Sequence, residues 1–146
     1  MLTIPEERMH TFKAVAYMIE RKLLDLQMQI IAHRHSLRFV CIEYKASLTE
    51  KEFAEIEEEI NKMYDLLEIF CNEYSVPKME VYLKAELMVK SNFLWEDLCG
   101  AISLRGYGQM DDTIIKDYTQ KINTMVDSAN NLIEKFKKIT YENHKD

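Results

Sequence analysis

Two histidines, His33 and His35, lie two positions apart in the segment LLDLQMQIIAHRHSLRFVCIEY, residues 23–44. Imidazole side chains can bind metals, move protons or accept a phosphoryl group. A carboxylate-bridged metal pair in a helical bundle needs Glu-x-x-His on two helices. That spacing occurs only at Glu7 and His10, near the start of the chain. The sequence therefore predicts no metal site and no cofactor.

His33 falls on one of the apolar seams described below. A buried imidazole there would hydrogen-bond to Asn92 or to a tyrosine, so we interpret His33 and Asn92 as polar residues of the core. A single amide side chain on a heptad seam typically fixes the register of the helices that pack along it. An alternative hypothesis is a bundle that binds haem or another apolar ligand, with His33 and either Met63 or Met125 as ligands.

The run His35-Ser36-Leu37-Arg38 resembles the His-x-Leu-Lys/Arg core of histidine phosphotransfer domains and of dimeric kinase phosphoacceptor helices. The resemblance covers these four residues. Phe39 stands where phosphotransfer domains have glycine, and Ser36 stands where kinase helices have a carboxylate. The resemblance implies a helical bundle in which His35 is the phosphorylated nucleophile and Arg38 binds the phosphate. Such a function requires an accessible His35 in the middle of a helix.

The charge balance argues against nucleic acid as a partner. The formal net charge is −6, whereas binding to a phosphate backbone requires a basic surface. No apolar run approaches the roughly 20 residues of a membrane-spanning helix, and the first residues do not have the pattern of a secretory signal. The chain has an odd number of cysteines, namely Cys41, Cys71 and Cys99, and no two of them have C-x-x-C spacing. We interpret them as reduced thiols of a cytoplasmic protein.

The elements that position these residues are predicted to be helices. No glycine precedes Gly100, and apolar residues recur at alternating spacings of three and four, which is a heptad pattern. A capping box is predicted at Thr3 with Glu6, a second at either Ser47 with Glu50 or Thr49 with Glu52, and Asp111 is predicted to cap the fourth helix. The four seams are Phe12, Ala16, Ile19, Leu23, Leu26, Ile30, His33, Leu37, Val40 and Tyr44; Phe53, Ile56, Ile60, Met63, Leu67, Phe70 and Tyr74; Val81, Ala85, Met88, Asn92, Trp95, Cys99 and Ile102; and Ile115, Tyr118, Ile122, Met125, Ala129, Leu132, Phe136 and Ile139.

These seams predict an all-α protein: a single domain over residues 1–146, folded as an antiparallel up-down-up-down four-helix bundle with an elongated first helix. The first seam runs unbroken to Tyr44, so the first helix is expected to exceed the fourth by about 10–15 Å. Its overhang would expose Met9, Phe12 and Val15, which we expect to pack on a partner chain. A bend near residues 33–36 is the alternative that would let the helix cover its own bundle.

Two further residues are candidates for contact with a partner. Arg105 and Tyr107 lie in the turn RGYG at the tip of the predicted bundle, where arginine and tyrosine are common anchors of interfaces. A second row flanks the first seam and holds His35 together with Leu24, Met28, Ile31 and Ile42. The sequence thus favours a non-enzymatic interaction or assembly subunit that binds a protein partner and forms homo-oligomers. Phosphotransfer through His35 and ligand binding through His33 are the alternatives.

Overall fold

The chain is all-helical in the computed structural model, which describes residues 3–35, 37–45, 47–103, 108 and 110–139. No strand occurs in that part of the chain, which confirms the predicted all-α class. The four helices are α1 (Glu6–Arg34), α2 (Glu50–Glu73), α3 (Leu83–Ala101) and α4 (Asp112–Ile139). They form two compact units: the N-terminal unit, Met1–Met79, contains α1 and α2, and the C-terminal unit, Glu80–Asp146, contains α3 and α4. The prediction of one domain over 1–146 stays a prediction.

The first helix is shorter than its seam predicts. It ends at Arg34, and His35 takes an extended conformation with φ −113° and ψ 149°. Arg34 pairs with Glu50, the first residue of α2, so no part of α2 lies beside a longer α1. A longer α1 would have no helix to pack against, and helical residues without such packing gain little stability in water. Val40, a residue of the predicted extension, is 85% exposed. The expectation of an elongated helix reaching Tyr44 is therefore wrong: α1 has 29 residues and α4 has 28.

The helix starts agree with the predicted caps at two of three places. Thr49 and Glu52 form a reciprocal capping box, with both bonds at 3.2 Å. The carboxylate of Asp111 accepts a 2.8 Å bond from the backbone N–H of Thr113, as predicted for the start of α4. The capping box at Thr3 is wrong, because Pro5 is the residue before α1 and no side chain caps it. The backbone N–H groups of Arg8 and Met9 donate to the Pro5 carbonyl at 2.9 and 3.1 Å.

The core of the N-terminal unit lies on the predicted seams. Its buried residues are Ala16, Leu23, Phe53, Ile60 and Leu67. The start of α1 contacts the end of α2, where Phe12 stacks on Phe70 with ring centroids 5.9 Å apart. The end of α1 contacts the start of α2, where Arg34 reaches the first turns of α2. Other residues of the same seams remain exposed, notably Leu26 (51%), Met63 (48%) and Ile56 (37%).

The C-terminal unit buries residues that lie on its predicted seams and residues one position beside them. Ser91, Ala129 and Ile133 are buried, whereas Asn92 is exposed, as are Met125 (51%) and Leu132 (39%). The Ser91 hydroxyl donates to the Leu87 carbonyl at 2.7 Å, so this polar side chain is satisfied within its own helix. Asn92 is thus exposed within its own unit, where its neighbour Ser91 is buried, and the prediction of Asn92 as a core residue of a four-helix bundle stays a prediction.

Candidate functional site

The end of α1 and the start of α2 meet in an aromatic and ionic cluster. The His33 ring stacks on Phe53 with centroids 5.9 Å apart, and the Tyr44 ring meets it edge-on at 6.3 Å. The Arg34 guanidinium lies 4.9 Å from the Phe53 centroid and forms ion pairs with Glu50 at 2.5 Å and Glu57 at 3.1 Å. Aromatic rings surround the half-buried imidazole of His33, and this arrangement suits packing that holds α1 against α2.

The second histidine, His35, is exposed, and so is Arg38. Neither lies in the middle of a helix: His35 follows the last residue of α1, and residues 37–45 are not helical. The exposure of His35 agrees with the phosphotransfer hypothesis. The hypothesis also requires His35 to lie in the middle of a helix, and it does not. The function of His35 as a phosphoacceptor stays a prediction.

The residues proposed for the overhang have different surroundings. Phe12 is half-buried between Phe70 and Tyr74 of its own chain, with centroids 5.9 and 4.9 Å away. Val15 is 38% exposed and Met9 is half-buried. Since α1 and α4 are nearly equal in length, the length difference on which the overhang depends is absent. Arg105 and Tyr107 lie outside the described residues.

An exposed apolar row runs along α1 on the side away from Leu26. Leu24, Met28 and Ile31 are 44%, 61% and 45% exposed and follow one another at spacings of four and three. Side chains at this spacing share one face of a helix. The sequence shows this row beside the first seam. The interface predicted from the sequence is instead the overhang, because the seam predicts a longer α1 than the structure has.

Other classes of site find no counterpart in the described part of the chain. Among those residues, no three His, Cys, Asp or Glu side chains are grouped so that they could hold a metal ion. None of the described helices combines the length and hydrophobicity that crossing a membrane requires. The three cysteines are not joined by disulfides.

No protein-family model matches this sequence, and neither a curated protein nor a solved structure is similar to it. Function is therefore inferred from the chain's own residues and their geometry.

Proposed function

We propose that the protein is a non-enzymatic interaction or assembly subunit that binds a second copy of itself through the row Leu24, Met28 and Ile31 of α1. The observation that carries the proposal is the exposure of these three large apolar side chains on one helix face. Aligned apolar side chains in water favour association, because pairing two copies of the row removes apolar surface from water on both sides. A twofold arrangement would bury the same row in each copy.

The finer architecture is part of the same proposal: the four helices form an antiparallel up-down-up-down bundle. Leu26, Ile56 and Met63 support it, because they are seam residues that one pair of helices leaves exposed. Seam residues Met125 and Leu132 are exposed in the other unit. A heptad seam is typical of helices packed on more than one neighbour. The pairing of opposite ends of α1 and α2 is the pairing expected for antiparallel neighbours.

The proposed location is the cytoplasm. Cys41 is exposed and unpaired, and Cys71 and Cys99 are half-buried and unpaired. Free thiols, one of them accessible to oxidants, suit a reducing compartment.

Self-association is tested by light scattering over a range of protein concentrations. We expect the wild-type mass to rise towards twice the 17.4 kDa monomer, and the change Met28→Glu to return it to the monomer value, since a buried carboxylate opposes pairing. Ile69→Glu is the matched control: Ile69 is 59% exposed on α2, outside the row. A wild-type protein that stays monomeric at every concentration contradicts the proposal, as does equal dissociation by both changes.

Closure of the bundle is tested separately by the stability of Leu26→Ala. If further helices cover Leu26, the change should cost about 2 kcal/mol or more of unfolding free energy, which is typical of a buried leucine. Met18→Ala is the control, because Met18 is 55% exposed on another face of α1. Chemical denaturation gives both values. Equal, small losses for the two variants would contradict the closed bundle.

A further inference from the structure

A cleft of about 700 Å³ opens on the N-terminal unit near the end of α2. Its lining includes Tyr17 and Glu20 from α1, Tyr64, Glu68 and Cys71 from α2, and the segment 76–79 that follows. This volume is in the range of pockets that hold small molecules. The cleft is distinct from the row Leu24, Met28 and Ile31, none of which lines it.

Hydrogen bonds hold the walls of the cleft in place. The Tyr17 hydroxyl donates to the Pro77 carbonyl at 2.9 Å and so ties the segment after α2 to α1. The Tyr64 hydroxyl donates to the Gln27 side-chain oxygen, also at 2.9 Å. The backbone N–H of Val76 donates to the Cys71 carbonyl at 2.9 Å. Because both tyrosines are anchored through their hydroxyls to fixed acceptors, a ligand would enter a cleft whose shape already exists.

The charges lining the cleft favour a positive ligand. Glu20 and Glu68 contribute two carboxylates, and Lys78 contributes one ammonium group. Within the described residues no ion pair involves either carboxylate. Burial raises the pKa of Tyr64 and of the Cys71 thiol, and the negative charge of Glu20 raises both further. The thiol therefore stays protonated at neutral pH and adds no charge, so the two exposed carboxylates and one ammonium group give the lining a formal charge of −1.

We propose that this cleft binds a small organic cation, namely a protonated aliphatic amine, whose ammonium group meets Glu20 and Glu68 between the rings of Tyr17 and Tyr64. Carboxylates supply charge-assisted hydrogen bonds to an ammonium group, and tyrosine rings attract cations through their π-systems. The alkyl chain of such a ligand would lie against the apolar part of the lining, which includes Ala16 and Leu67. No residue of the row Leu24, Met28 and Ile31 lines the cleft, so this proposal does not rest on self-association.

Lys78 gives the proposal an internal check. Its ammonium group belongs to the same lining and opposes an incoming amine through like-charge repulsion. Removing this charge should therefore strengthen binding, whereas removing the charge of Glu20 should weaken it. A site that recognised only apolar surface would respond to neither change.

The test is calorimetric titration of the full-length protein with cadaverine, and with 1,5-pentanediol as the uncharged probe of equal chain length. We expect cadaverine to bind and the diol not to bind. Glu20→Gln should weaken cadaverine binding by about tenfold, the loss of roughly one charge-assisted contact, and Lys78→Gln should tighten it. Glu55→Gln, on α2 and outside the cleft lining, is the matched control and should leave binding unchanged.

A second measurement follows Cys71 directly, in a protein that carries Cys41→Ser and Cys99→Ser. Bound amine should slow alkylation of Cys71 by iodoacetamide, and Glu20→Gln should raise the amine concentration needed for half-maximal protection by about tenfold. Glu68→Gln serves as a replacement if Glu20→Gln fails to fold. The proposal is overturned if millimolar cadaverine does not bind, if the diol binds equally well, or if Glu20→Gln and Glu55→Gln behave alike. It is also overturned if a lysine-containing peptide binds where cadaverine does not.

Discussion

The two units differ in the polar contacts between their helices. In the N-terminal unit side chain meets side chain: Arg34 pairs with Glu57, and Tyr64 donates to Gln27. In the C-terminal unit the Tyr118 hydroxyl of α4 donates to the backbone carbonyl of Ala101 in α3, and among the described residues the buried ammonium nitrogen of Lys84 and indole nitrogen of Trp95 have no hydrogen-bond partner. Cross-helix polar contacts specify which residues face each other, whereas a buried polar atom without a partner lowers stability.

The buried residues show the same difference. The N-terminal unit buries large side chains, including Leu23, Phe53 and Ile60, whereas the C-terminal unit buries Ser91 and Ala129 along with Ile133. Small residues let helix backbones approach closely but contribute little apolar surface. We therefore expect the N-terminal unit to resist local unfolding more strongly than the C-terminal unit, which hydrogen exchange of the two helix pairs can measure.

The largest expected effect is the loss of a core side chain in the N-terminal unit. Leu23 is 2% exposed, so Leu23→Ala should lower the unfolding free energy by about 3 kcal/mol through lost burial and a cavity. The C-terminal counterpart, Ile133→Val, removes one methylene group and should cost about 1 kcal/mol. Urea denaturation followed by circular dichroism provides both values. The contrast between the units fails if Ile133→Val is the more damaging change.

The ionic cluster at the end of α1 should come next. Arg34→Met removes two ion pairs and a cation–π contact that join the helices, and the partly exposed setting limits the loss to about 1–1.5 kcal/mol. Lys121→Met breaks only the exposed pair with Asp117 inside α4 and should cost a few tenths of a kcal/mol. Denaturation at low and high salt measures the difference, which should shrink as salt screens the charges. Equal losses for the two variants would contradict a role for Arg34 in joining α1 to α2.

Opposite signs are expected when buried polar groups are replaced in the two units. Lys84→Met removes an ammonium nitrogen without a partner and should stabilise the protein by about 1 kcal/mol. Tyr64→Phe removes the donor to Gln27 and should destabilise the protein by about 0.5–1 kcal/mol. Thermal unfolding of the two variants reveals the sign directly. A loss of stability in Lys84→Met would mean that its ammonium group has an acceptor, and the comparison between units would fail.

The smallest effect concerns the caps of α1 and α2. Thr49→Ala removes half of a complete capping box and should cost about 0.5–1 kcal/mol. Thr3→Ala should leave stability unchanged, because no side chain caps α1. The helix content and the denaturation midpoint of each variant measure these two effects on stability. A cost for Thr3→Ala equal to that of Thr49→Ala would restore the capping box that the sequence predicts at the first helix.

Much of the fold could be predicted because its signals are local in the chain. The spacing of Leu23, Ile60 and Leu67 placed each on its seam, and all three are buried. Thr49 with Glu52 and the carboxylate of Asp111 cap helices because a cap needs only residues a few positions apart. The end of α1 could not be predicted in the same way. Its position depends on where α2 begins, and the pairing of Arg34 with Glu50 is a contact between elements.

The two candidate sites also differ in whether the sequence alone shows them. The row Leu24, Met28 and Ile31 is a periodic pattern in the sequence, although the sequence does not single it out as the interface. The cleft has no such pattern, since Glu20 and Cys71 are brought to one place by the packing of α1 on α2 and by the bond from Tyr17 to Pro77. The burial of Ser91 beside the exposed Asn92 is equally invisible in the sequence, because the side of a helix that is covered depends on the helix it packs against.

By itself the sequence determined that this chain is helical, that α2 is capped at Ser47 or Thr49 and α4 at Asp111, and which apolar positions can share a helix face. These properties follow from the dihedral preferences and from the 3.6-residue period of the backbone, both of which act over a few residues. The tertiary structure decided where α1 stops, which seam residues are covered, and which charged groups line one cleft. Those outcomes depend on residues distant in the chain, whose contacts exist only after the helices have packed.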